Sequence, residues 1–459
     1  MISNEQKAET DMTNGPLFGK IISFALPLMA TGMLQIAFNA ADIIVLGRCA
    51  GSDALAAVGA TTNLIYLLIN LFIGISIGAA VAISHAIGAG HEKTAGEHAH
   101  NAIASALVMG VAVGILGIIF ARPMLSAMHT PDQIIDMSVL YFRIYFSGSP
   151  VILLYNYGST IMRTTGDTRR PLIYLALGGV LNVFLNLYFV IEFHLDVAGV
   201  GIATVLSNCI SALLVLRALT KMPNCCRIEL KKVRLNKDKF IQIIKYGLPA
   251  GIQSTLFSIS NVLIQSSING FGALAVAGNS AAVSVEALIS TGIDSFNTTA
   301  LTFTGHNVGA GKYKRVSKVF IYSSIGVVIM SLVCSSAVYF FRRPLLTFYL
   351  PDSPESIKYG LIRMSYLIMP EFISGFMQVF TGLLRGMGKS ILPMITTCFG
   401  VCILRIIWIY TVFRIPEYHT LGCIYISYPI TWFITAAING ICFTYCYKQL
   451  FKKDVLLEV

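Results

Sequence analysis

The chain has 459 residues, 55% of them hydrophobic and only 12% charged, and its mean hydropathy is +0.73. A soluble domain carries about twice that charged fraction, so a soluble globular fold is excluded. The net charge of +11 would suggest a nucleic-acid partner for a soluble protein, but here the basic residues fall where they act as a topology signal, and no nucleic-acid role is assigned.

A bilayer core of about 30 Å takes roughly 20 apolar residues of helix. Runs of that length predict twelve membrane helices, near 19–46, 54–83, 99–120, 135–158, 171–191, 198–219, 241–268, 274–303, 318–341, 358–383, 391–413 and 422–446. The fold class is an all-α membrane protein. The opening MISNEQKAETDMTNGPL has neither the basic start nor the small-residue cleavage site of a signal peptide, so Met1 is expected to begin the mature chain. An even number of spans puts both termini on one side. That side holds Lys93, Arg163, Arg169, Arg170, the basic run from Lys221 to Lys239, Lys312, Lys314, Arg315, Arg385 and Lys389, whereas Arg48, Arg122, Arg342, Arg343, Lys358 and Arg414 face the other way. By the positive-inside rule both termini of this multi-pass protein are expected in the cytoplasm. The cysteines are scattered, and Cys398/Cys402 and Cys442/Cys446, though at i,i+4, lack a second pair at zinc-site spacing; they are read as small apolar fillers.

The chain repeats itself. Pro27 in SFALPLMATG recurs as Pro249 in KYGLPAGIQS, ALAAVG (54–59) as ALAVAG (273–278), HAIGAG (85–90) as HNVGAG (306–311), RPML as RPLL, and MRTTGDTRRP (162–171) as LRGMGKSILP (384–393), always at an offset of 219 to 222. Six spans per half make a parallel pseudo-repeat, an arrangement found in secondary transporters that rock one half against the other. The expected division is a cytoplasmic tail 1–18, a first lobe 19–220, a polar linker 221–240 serving as hinge material, a second lobe 241–446 and a tail 447–459.

Ionisable residues inside spans usually face a bundle interior or a pathway. Asp42, in QIAFNAADIIVLGR, is the clearest, and its alternative is an interhelical anchor. Asn182 and Asn186 share a face of the fifth span and Thr204 stands in the sixth. Carboxylate, amides and hydroxyl together suit Na⁺, whereas a carboxylate alone in apolar surroundings can carry H⁺, and both ions stay open. Gln35, Asn39, Glu286 and Asp294 are assigned to a substrate cavity, the last two lying about 80° apart around one helix. For Glu286 structural pairing is the second choice. In the other half the positions answering Asp42, Asn182 and Asn186 are Ile264, Leu404 and Trp408. His85 and His306 are read as helix-end packing, the GAG that comes after each histidine is read as a tight turn, and Arg143 and Arg405 stand inside spans without an assigned partner.

LPLM…FNAADIIVLGR and its echo LPAGIQ…SN, the paired GAG turns, and the R-x-x-G-D…P and R-G-x-G-K…P turns resemble the multidrug and toxic-compound extrusion (MATE) family across all twelve spans, most of all the MepA-like or DinF-like bacterial branch. The resemblance implies two V-arranged lobes and an exporter of small organic cations and other amphipathic compounds in exchange for Na⁺ or H⁺, with membrane lipid around it, no cofactor, and a monomer. It also implies a cation site, and possible Na⁺ binding, at Asp42, Asn182, Asn186 and Thr204. Members with a second-lobe site place acids in spans seven and ten, where this chain has STLFSISN and Ser374, so coupling is expected from the first lobe. A lipid-linked or polysaccharide flippase of the wider superfamily is the alternative function, and it would be expected to carry more cavity arginines. An intramembrane enzyme would need a set such as H-E-x-x-H or G-x-S-x-G, and the chain is expected to carry neither.

Overall fold

A computed structural model describes residues 11–351 and 353–457, so the amino-terminal tail 1–18 is described from Asp11 and the carboxyl-terminal tail 447–459 as far as Leu457. The rest of both tails lies outside the described residues. All the regular structure described is helical: α1 (Leu17–Val45), α2 (Ser52–Gly88), α3 (Glu92–Ala127), α4 (Asp132–Ser147), α5 (Ser149–Thr164), α6 (Arg169–Leu187), α7 (Asp196–Thr220), α8 (Lys237–Asn269), α9 (Ala273–Gly309), α10 (Tyr313–Phe340), α11 (Arg342–Tyr349), α12 (Pro354–Leu367), α13 (Glu371–Gly386), α14 (Ile391–Thr397), α15 (Leu404–Tyr410) and α16 (Leu421–Leu457). Short π-helical turns extend α1 (Leu46–Ala50) and α6 (Tyr188–Glu192) and join α14 to α15 (Cys398–Ile403).

Among the described residues nine helical runs are long and apolar enough to cross a bilayer, and eleven if two bent pairs each count as one span. The twelfth expected run coincides with α8, whose 33 residues suffice in length. Its middle, QSTLFSISN, is threaded with hydroxyls and amides, and composition alone keeps it below the others. The bent pairs are α4 with α5, at 47°, and α12 with α13, at 54°. Gly148 sits at the first bend and Pro370 at the second, 222 residues apart, so the bend repeats with the sequence although a different residue makes it.

The turns repeat too. Gly51 and Gly272 (φ 90° and 92°), Gly90 and Gly311 (72° and 67°) and Gly166 and Gly388 (101° and 76°) all adopt backbone that side chains resist. The GAG and R-x-x-G stretches are therefore turns fixed by one left-handed glycine each.

The chain forms two compact units by contact: described residues 30–251 make unit 1, and Asp11–Met29 with 252–457 make unit 2. In unit 1, α2, α3, α5 and α7 enclose one apolar core around Ile83, Ile103, Leu153, Tyr157 and Leu219, and a second gathers at Leu46, Phe142 and Phe146. In unit 2, Ile21, Phe24 and Leu28 of α1 pack with Ile289, Phe296, Phe303 and Val316. The 221–236 stretch is not a free strand of chain. Met222, Cys226 and Ile228 are buried, the Glu229 backbone N–H donates to His100 Nε2 at 2.9 Å, and Asn101 Nδ2 donates to the Asn236 carbonyl at 2.9 Å.

Candidate cation site and cavity

Small residues on α6 decide how closely its neighbours in unit 1 approach. A β-carbon on Gly179 would collide with the Phe38 ring of α1, and one on Gly178 with the Ser211 hydroxyl of α7. These contacts bring α1, α6 and α7 around a cavity of about 390 Å³, to which α2, α4 and α5 also contribute. Gln35, Asn39, Asp42, Asn182 and Thr204 all line it.

Along its wall the polar side chains form a string. Asn186 Nδ2 donates to Asp42 Oδ1 and lies 3.3 Å from Asn182 Oδ1, and Asn182 Nδ2 reaches toward Thr204 Oγ1 at 3.5 Å. Asn182 is 5% and Asn186 0% exposed, while Asp42 and Thr204 are half-buried at the cavity edge. Four residues from three helices, separated by up to 162 positions in the chain, thus meet. Asn186 Oδ1 is the informative atom: it is buried and has no hydrogen-bond partner. An orphaned acceptor beside a carboxylate is a donor set for a hard cation. Among the described residues no three His, Cys, Asp or Glu side chains gather in one place.

Residues that sequence reasoning passed over complete the wall. Tyr66 receives the Asn39 amide at 3.4 Å, and Tyr141 and Tyr145, one helical turn apart on α4, present their rings to the same space. Two tyrosines at i,i+4 flanking Arg143 were the available signal. Arg143 itself is exposed, and its Nε donates to the Ile118 carbonyl at 3.3 Å.

In unit 2 the acids Glu286, Asp294 and Glu371 each have a partner of their own. Glu286, assigned to a cavity, is clamped by Arg363, whose Nε and Nη2 donate to its two carboxylate oxygens at 2.9 and 2.7 Å, with both residues under 9% exposed. The pairing that ranked second is what the geometry gives, because α12 carries Arg363 directly across from α9. Arg363 also donates to Asn279 Oδ1 at 2.9 Å. Asp294 is exposed and accepts from Gln378 at 3.3 Å, and Glu371 accepts from Ser290 at 3.1 Å. His85 lies edge-on to Tyr246 with ring centres 6.4 Å apart, a packing contact.

The chain does contain one G-x-S-x-G string, residues 74–78, which corrects the expectation that none is present. It lies inside α2, where Ser76 Oγ donates to the Ile73 carbonyl at 2.6 Å. A nucleophile elbow needs a sharp strand-to-helix turn, so this string is helix packing rather than a catalytic motif.

The MatE family model matches residues 27–188 and again 249–411, once per half. The chain is 24% identical over 441 residues to the probable multidrug resistance protein YoeA of Bacillus subtilis (strain 168), covering 94% of each chain. It is 26% identical over 392 residues to the probable multidrug resistance protein NorM of Thermotoga maritima, covering 84% of each. Among solved structures, an outward-facing multidrug resistance MATE transporter of the MOP superfamily superposes with a TM-score of 0.87 at 22% identity, over 94% of this chain and 96% of that one. A double family match over two six-span halves, each built on the same bend and the same glycine turns, leaves one conclusion: the chain belongs to the MatE family of membrane transporters.

Proposed function

We propose that this transporter is a multidrug exporter of small amphipathic compounds, organic cations among them, driven by Na⁺ or H⁺ entering through unit 1. The observation that carries the reading is the string Asp42–Asn186–Asn182–Thr204 on the cavity wall, with Asn186 Oδ1 buried and unpartnered beside the Asp42 carboxylate. The names of its relatives support the export of drugs. Cation and drug each shift the alternation of access by their differential affinity for its two ends, so cation bound at Asp42 favours drug release. The ring-lined cavity, with Tyr66, Tyr141 and Tyr145 beside one acid, suits a hydrophobic cation through cation–π contact. The excess of Lys and Arg on one side supports cytoplasmic termini in an inner membrane, and the protein acts as a monomer surrounded by lipid.

The test is efflux of ethidium by the purified protein in liposomes, first with a Na⁺ gradient at fixed pH, then with a pH gradient at fixed Na⁺. Asp42→Asn keeps the shape and removes the charge, and it is expected to abolish efflux under both gradients. Asn186→Ala and Thr204→Ala are each expected to weaken Na⁺ stimulation if Na⁺ is the coupling ion and to leave a proton-driven cycle nearly intact. Stimulation that survives both changes but vanishes in Glu371→Gln would move coupling to unit 2 and overturn the assignment.

A further inference from the structure

Arg405 of α15 is 0% exposed inside unit 2. Its Nε donates to Thr431 Oγ1 at 3.0 Å, and its guanidinium carbon stands 3.9 Å from the centre of the Tyr428 ring. Its Nη1 and Nη2, however, are buried without a hydrogen-bond partner. A guanidinium keeps its charge in a protein, so these are two charged N–H edges of one fork left without an acceptor.

The acid that pairs with a guanidinium among the described residues of this unit is Glu286, and its partner is Arg363. Glu286 spends both oxygens on Arg363, which faces the same Tyr428 ring at 5.4 Å. Two guanidinium groups therefore face that ring, and among the described residues Arg405 makes no ion pair. Buried charges are normally paired, and an orphaned buried group signals an absent water or ion.

The internal repeat sharpens the point. Leu404 and Trp408 answer Asn182 and Asn186 at an offset of 222, and Arg405 answers Val183. The span that offers two amide groups to a cation in the first half offers a fixed positive fork in the second.

We infer that Arg405, with Tyr428 behind it, is an anion subsite of unit 2 that takes a carboxylate-type group through Nη1 and Nη2. The planar fork matches the two oxygens of a carboxylate, which would arrive either on a transported amphiphile or as a small anion from solution.

The protein carries its own reporter in its two tryptophans, Trp408 and Trp432. Trp408 is one turn along α15 from Arg405, and Trp432 packs edge-on against Tyr428 with ring centres 5.9 Å apart. Full-length protein in neutral detergent, with HEPES as the bulky counter-ion, is titrated with hexanoate, hexylammonium and chloride while tryptophan emission is followed. A saturable response to hexanoate and none to hexylammonium is expected, with an apparent affinity at least tenfold weaker in Arg405→Gln and several-fold weaker in Arg405→Lys. Saturation by hexanoate assigns the site to carboxylates, and saturation by chloride alone overturns the carboxylate assignment. Should Arg405→Gln fail to fold, Arg405→Lys carries the comparison, because it keeps the charge and loses the fork. No saturable response to either anion, a response equal for hexylammonium, or one unchanged in the folded variants overturns the subsite.

Discussion

Asp42 and Glu286 are both carboxylates inside spans, and their surroundings give them opposite duties. Glu286 is answered by two charged hydrogen bonds from Arg363 and is fully committed. Removing one member of such a pair leaves the other buried and alone, at a cost of about 3–5 kcal/mol, whereas replacing both with apolar side chains of similar volume is close to neutral. Arg363→Met is accordingly expected to lower the unfolding midpoint of the detergent-solubilised protein sharply, and the double variant Glu286→Leu/Arg363→Met to recover most of the loss; a double variant as unstable as the single one would refute the pairing argument. Asp42→Asn is expected to leave that midpoint nearly unchanged. Asp42 was legible in the sequence because an acid among Ala, Ile and Val stands out. Arg363 was not, since it sits beside Lys358 and Glu355 like any charge near a helix end, and its partner lies 77 positions earlier on another helix.

Helices α2 and α8 show what the glycines inside spans accomplish. In unit 1 the first part of α8 crosses α2 backbone to backbone: a β-carbon on Gly78 would lie 2.6 Å from the Gly247 nitrogen, and one on Gly247 would lie 2.7 Å from Ile75 Cα. Gly74 and Gly78 on one helix face Gly247 and Gly251 on the other, the small-xxx-small spacing that lets membrane helices touch. Gly78→Ala and Gly247→Ala are each expected to cost about 1–3 kcal/mol, because the atoms in the way are main chain and cannot rotate aside. In the double variant the costs should fail to add, since the first β-carbon already parts the helices. Additive losses in a thermal unfolding series would instead place the two glycines in separate environments. The number and order of the spans were readable from apolar runs and from the repeat. The crossing was not, because a glycine in a hydrophobic stretch looks the same whether it faces lipid or another backbone. The bends at Gly148 and Pro370 were likewise hidden, since hydropathy continues across them unchanged.

For the molecule as a whole, the excess of basic residues on one side supports the proposed orientation. In that orientation the turn holding exposed Cys49 would face outward and the 221–236 stretch inward. On a background lacking the other cysteines, Cys49 is expected to react with a membrane-impermeant maleimide on intact cells, and Lys231→Cys only after permeabilisation. The reverse pattern would turn the protein over in the bilayer. Composition of the units has a further consequence, for biosynthesis. Phe24 packs edge-on against Phe303 at 5.6 Å, yet 279 residues separate them in the order of synthesis. At about 5–20 residues per second the ribosome takes on the order of tens of seconds to bring the second ring. Through that interval Phe24 waits without Phe303, so this part of the unit 2 core closes only once α9 has been made.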